Sequence, residues 1–135
     1  MIFIDSNIWI YYLSEKSPEH KFVKEPFRKI ILTEEIVSNV VVILEVAHYF
    51  RLLPKSDLEK LIDYITGLSN IRIIDLDRKL MRNSLKFLLE YARLGIGSRD
   101  AAILATMDAT ETNKIVTHDR VFKSLKFLNV IDPVS

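Results

Sequence analysis

Five short apolar runs, at residues 1–5, 36–38, 71–74, 114–117 and 130–131, are separated by stretches whose apolar residues recur at helical spacing. Runs this brief between helical patterns read as strands of a parallel sheet, because each return to the same sheet edge requires a crossover helix. The alternation predicts an α/β fold, a three-layer α/β/α sandwich around a mainly parallel sheet of about five strands. A chain of 135 residues is the size of one domain, so residues 1–135 are expected to form a single unit.

The helical stretches carry their own punctuation. A helix is predicted over 7–14, and another over 17–32 in which Pro26 is an expected irregularity. Asn39 is placed to cap a helix reaching residue 53, although the β-branched run Val40-Val41-Val42 leaves a longer strand open. Ser56-Asp57-Leu58-Glu59 has the form of a capping box for a helix over 56–66, closed by Gly67. Asp77 should cap a helix over 78–94, Ser98 a helix over 99–109, and a single helical turn is expected at 121–125.

Four acids fall where a solvated charge is out of place. Asp5 ends an apolar strand, Glu45 is the only charge between Val40 and Phe50, Asp100 opens Ala101-Ala102-Ile103-Leu104-Ala105, and Asp119 closes Ile115-Val116-Thr117-His118. An unpaired buried carboxylate is costly, and two of them 4 Å apart repel by about 4 kcal/mol at an effective dielectric of 20. No Lys or Arg lies inside those apolar runs, so a divalent cation is the expected neutralising charge. Ligands bind outside the carboxyl ends of parallel strands where the strand order reverses, which puts Asp5, Asp100 and Asp119 on one sheet edge. Glu45 must reach them from within a helix. Hard oxygen donors suit Mg²⁺ or Mn²⁺ and the hydrolysis of phosphodiesters. Ser6, Asn7 and Thr117 are placed to hydrogen-bond the carboxylates or a scissile phosphate.

Composition narrows the function further. Net charge is only +1, but residues 78–126 carry ten Lys or Arg against five Asp or Glu. A basic half beside an acidic site suits a phosphate backbone, and Arg99 and Arg120, next to two of the acids, are the candidates to bind substrate. The absence of cysteine excludes disulfides, thiolate metal sites and a cysteine nucleophile. No apolar run approaches the roughly 20 residues of a membrane span, and the N-terminus lacks a signal-peptide pattern, so a cytoplasmic location is expected.

Phe3-Ile4-Asp5-Ser6-Asn7-Ile8-Trp9-Ile10, Leu44-Glu45-Val46, Arg99-Asp100-Ala101-Ala102-Ile103-Leu104-Ala105 and Ile115-Val116-Thr117-His118-Asp119-Arg120-Val121-Phe122 resemble, in order and spacing, the successive motifs of PIN-domain nucleases. The resemblance covers nearly the whole chain. It implies that Asp5, Glu45, Asp100 and Asp119 bind Mg²⁺ or Mn²⁺ and are catalytic in RNA hydrolysis, with Asn7 and Thr117 supporting them. The length of the chain is similar to that of VapC toxins, which implies a homodimer and a small antitoxin partner. Within this resemblance, a PIN-fold RNA-processing nuclease without a toxin role and a catalytically silent interaction module are the alternatives. A phosphatase with an aspartyl nucleophile on the first strand is disfavoured, because that chemistry wants a second acid where Asn7 stands. His48 forms Glu-x-x-His with Glu45, but iron sites of that type need two such motifs. His20 and His118 lack ligand spacing and are expected in surface or core roles.

Overall fold

The computed structural model describes residues 1–135. Five strands, β1 (Ile2–Ile4), β2 (Ile36–Asn39), β3 (Ile71–Ile74), β4 (Lys114–Val116) and β5 (Asn129–Ile131), form one sheet in the order β3-β2-β1-β4-β5. Every pairing is parallel, with Phe3 beside both Val37 and Ile115. Ile2, Phe3 and Ile4 are fully buried because β1 has a strand on each side and helices over both faces.

Six helices complete the layers: α1 (Ser6–Leu13), α2 (His20–Thr33), α3 (Val40–Tyr49), α4 (Lys55–Thr66), α5 (Arg78–Tyr91) and α6 (Ser98–Ala109). α1 packs on α2 and α3, and α3 on α4, while α5 packs on α6. Right-handed crossovers account for this division: the chain steps outward from β1 to β3, then returns across the sheet to β4 and β5 on the opposite face. The three-layer α/β expectation is met. No helix is long and apolar enough to cross a membrane.

Local chemistry explains most element boundaries. The Asn39 side chain accepts from the Val42 amide at 2.8 Å, and Val42 and Val46, one turn apart, both face the core. That cap and spacing decide for helix over strand in the Val40-Val41-Val42 run. Asp77 caps α5 through the Leu80 amide at 2.8 Å. Pro26 lies inside α2 on its exposed side, where water can satisfy the carbonyl that loses its donor, so the helix continues through it.

Several boundary expectations are corrected: α2 starts at His20 rather than residue 17, and α3 ends at Tyr49 rather than residue 53. α4 starts at Lys55 with Pro54 at its N-cap, and the Ser56 capping box does not form; proline supplies a φ of −51° suited to helix entry. The long helix predicted over 78–94 ends at Tyr91 and tightens into a 3₁₀ turn over Ala92–Leu94. α6 is capped from Gly97 rather than Ser98, with the Asp100 carboxylate accepting from the Gly97 amide at 3.3 Å.

Gly95 joins the two halves of the α5–α6 turn at φ +96°, and a Cβ there would lie 3.3 Å from Val121 Cγ2. Both the left-handed backbone and the close neighbour favour glycine. Gly95→Ala should lower the unfolding free energy by about 1–2 kcal/mol in urea denaturation.

Candidate functional site

The strand order reverses between β1 and β4, because the chain builds β2 and β3 on one side of β1 and β4 and β5 on the other. Side chains just beyond the carboxyl ends of these two strands therefore line the crevice. Asp5 follows β1 and Thr117 follows β4, in adjacent register since Ile4 pairs with Val116.

Asp5 is fully buried and also caps α1. Its Oδ1 accepts from the Ser6 amide at 2.7 Å, and its Oδ2 accepts from the Thr117 hydroxyl at 2.7 Å. Thr117 Oγ1 in turn accepts from the Asp119 amide at 3.0 Å and from Asn7 Nδ2 at 3.5 Å. Asn7 Oδ1 accepts from the His118 amide at 3.4 Å. Ser6, Asn7 and Thr117 thus form a polar shelf between β1 and β4 that fixes the Asp5 carboxylate.

The counter-charge comes from Arg99, in the first turn of α6. Its Nε donates to both Glu45 oxygens at 2.6 and 2.7 Å, its Nη1 to Asp100 Oδ1 at 2.6 Å, and its Nη2 to Asp5 Oδ1 and to Ser6 Oγ, the latter at 3.1 Å. One planar guanidinium thereby links the end of β1, the middle of α3 and the start of α6. The expectation that only a divalent cation would neutralise these acids is corrected: an arginine just outside the apolar runs reaches all three. No three Asp, Glu or His side chains are grouped to hold a metal ion in this arrangement, in which Asp5, Glu45 and Asp100 are each turned to the guanidinium. Glu45 does not pair with Arg51 or Lys55, the neighbours on its own side of the chain; Arg51 bonds His48, and Lys55 faces Glu59.

Electrostatics follow from one positive charge shared among three negative ones. Burial pushes the Asp5 carboxyl above the ordinary carboxylate range; Arg99, the Thr117 hydroxyl and the Ser6 amide pull it down without cancelling the rise, and the charge of Asp119 adds to it. Burial alone would lower the Arg99 guanidinium, yet Asp5, Glu45 and Asp100 outweigh it and hold its pKa above the usual arginine value. The arginine stays charged, and the most desolvated of its partners remains under-compensated.

Asp119 stands apart from the arginine cluster, its carboxylate accepting from the Val121 amide at 3.1 Å at the start of a 3₁₀ turn over Arg120–Ser124. Arg120 is exposed. A further acid escaped the sequence reading. Asp132 follows β5 and accepts from His118 Nδ1 at 3.0 Å, Lys123 Nζ at 2.8 Å and the Val134 amide at 3.0 Å. Burial works against its charge, but Lys123, His118, Ser135 and the Val134 amide hold its carboxyl well below the usual range. The signal was present, since Asp132 closes an apolar strand as Asp5 does.

Residues 2–128 match the sequence pattern of the PIN domain. The chain is 28% identical to Ribonuclease VapC2 of Methanocaldococcus jannaschii, over 97% of this chain and 93% of that protein. Its fold is similar to that of Mycobacterium tuberculosis VapC20, a sarcin-ricin loop cleaving toxin, with a TM-score of 0.79 at 14% identity, covering 96% of this chain and 98% of that one. It is also similar to a chain of VapBC2 from Rickettsia felis bound to a DNA fragment from its promoter, with a TM-score of 0.73, 20% identity and 98% of both chains covered.

Because folding raises the Asp5 pKa above its unfolded value, its contribution to stability is fully present below the unfolded value of about 4 and is lost as pH rises through the folded one. Asp5→Asn, which keeps an acceptor for the α1 cap, should therefore melt higher than the parent in EDTA at neutral pH, with the gain shrinking as the solution is acidified. Thermal melts at several pH values test this, and a variant less stable at neutral pH would contradict it.

Proposed function

The chain belongs to the PIN-domain family, and from that premise we propose that it is a Mg²⁺- or Mn²⁺-dependent endoribonuclease, the toxin of a VapBC-type pair. The observation that carries the proposal is the gathering of Asp5, Glu45 and Asp100 around a single cationic group at the switch point of a parallel sheet. Three carboxylates facing one positive charge leave an excess of negative charge that suits a hard divalent ion. The arginine marks where positive charge is favoured, and the donors are the oxygen ligands such an ion prefers. Asp5, Glu45, Asp100 and Asp119 are the proposed ligands and catalytic carboxylates. When bound, the ion supplies Lewis-acid charge for phosphodiester hydrolysis.

The chain's own residues do the positioning. Thr117 holds Asp5 Oδ2 in a fixed direction, and Asn7 holds Thr117, so the carboxylate is oriented before any substrate arrives. The Asp119 carboxylate, bound by one amide, contributes from the side of β4. Arg120, exposed beside it, is the proposed contact for the RNA backbone, together with Arg99 once its carboxylates are otherwise neutralised. RNA as substrate is supported by the ribonuclease VapC2, to which this chain is similar in sequence, and the fold is shared with a sarcin-ricin loop cleaving toxin. A small antitoxin and a second copy of the chain are the proposed protein partners.

RNA cleavage should cease in EDTA and return with Mg²⁺ or Mn²⁺. Asp5→Asn and Asp100→Asn are each expected to slow it by on the order of 100-fold, and Asp119→Asn by nearer to tenfold, in line with the cost of disturbing a metal site or its supports. Gel assays on a structured RNA would decide, and undiminished cleavage by the Asp5 and Asp100 variants would sink the site assignment.

A further inference from the structure

We propose that Arg99 is a built-in competitor of the metal: its guanidinium occupies the place where the ion must bind, and metal binding requires it to leave. This rests on the metal-dependent reading above and deepens it.

Three features carry the inference. All three guanidinium nitrogens are engaged, Nε with both oxygens of Glu45, Nη1 with Asp100, and Nη2 with Asp5 and Ser6. A carboxylate whose oxygens accept such short charge-assisted bonds has its lone pairs directed at the arginine rather than at an ion. In addition, no three acidic side chains are arranged to hold an ion while the guanidinium sits among them, so an ion must both displace the arginine and re-orient the carboxylates. Finally, Arg99 is 27% exposed along its side chain, so the guanidinium has a route out of the cluster without unfolding α6.

The consequence is a thermodynamic tax. Apparent metal affinity is reduced by the fraction of molecules in which the site is free of the guanidinium. The same contact neutralises the acids when metal is scarce, so the fold need not wait for an ion. Arg99 is in this sense a positioning residue: it sets the metal concentration at which the site assembles, and its withdrawal places a guanidinium beside the acids for a phosphate.

The test measures binding rather than turnover. Mn²⁺ titrated by calorimetry into Arg99→Met, which keeps much of the side chain's bulk without its charge, should bind at least about tenfold more tightly than to the parent. Arg99→Lys, which cannot bridge three carboxylates at once, should fall between them. In the parent chain, the Arg99 Nε–H resonance should be protected from solvent exchange without metal and lose that protection as Mg²⁺ saturates. Equal or weaker Mn²⁺ binding by Arg99→Met, or an Nε–H signal that stays protected at saturating Mg²⁺, would overturn the inference while leaving the metal site intact. Failure of both the parent and Arg99→Met to bind Mn²⁺ would instead overturn the metal-dependent reading itself. The NMR measurement decides the matter in the parent if the methionine variant does not fold.

Discussion

The guanidinium of Arg99, held between Asp5, Glu45 and Asp100, is the contact on which the arrangement of the crevice depends. It joins three elements that meet nowhere else through charge: the end of β1, the middle of α3 and the first turn of α6. Carboxylates this close would repel strongly in a medium of reduced dielectric, and a fully buried Asp5 would be driven to take up a proton. Arginine is suited to the role because it stays ionised and presents donors along three edges of one plane. The cluster is therefore a part-buried polar network at the edge of the apolar core, and its order comes from hydrogen-bond geometry rather than close packing.

That polar network is tolerated because of where the sheet puts it. At the switch point the helices following β1 and β4 diverge to opposite faces, which opens a cleft. Directly beneath it, Ile4 and Val116 pair in register and are buried. The apolar strand and the charged rim meet at consecutive residues, Ile4 and Asp5. The Thr117 hydroxyl, Ser6 amide and Asn7 side chain satisfy the Asp5 shelf locally, so one face of the carboxylate is rigid while the other meets the more exposed arginine.

Much of this was legible in the chain. Apolar runs alternating with helical spacing gave the sheet and its parallel pairing, and Asn39 and Asp77 cap the helices they were expected to cap. Asp5 was recognisable because a carboxylate at the end of a buried strand has few ordinary explanations. Other features were less readable. Ser56 and Ser98 have the chemistry of helix caps, but Pro54 and Gly97 take the position one or two residues earlier, and adjacent capping residues compete on margins of about 1 kcal/mol or less. Asp132 obeys the same strand-then-acid rule as Asp5, yet only Val130-Ile131 precede it as an apolar run, against Met1-Ile2-Phe3-Ile4 before Asp5.

Arg99 marks the boundary between the two kinds of knowledge. Its partners lie one residue away at Asp100, 54 residues away at Glu45 and 94 residues away at Asp5. The sequence alone determined the elements, their order, the family pattern and the four unusual acids, because helix periodicity, strand burial and capping act over a few neighbouring residues. Only the tertiary structure decided which cation Asp5, Glu45 and Asp100 face. That outcome depends on strand register and helix packing, which bring distant residues within hydrogen-bonding range and leave no trace in local spacing.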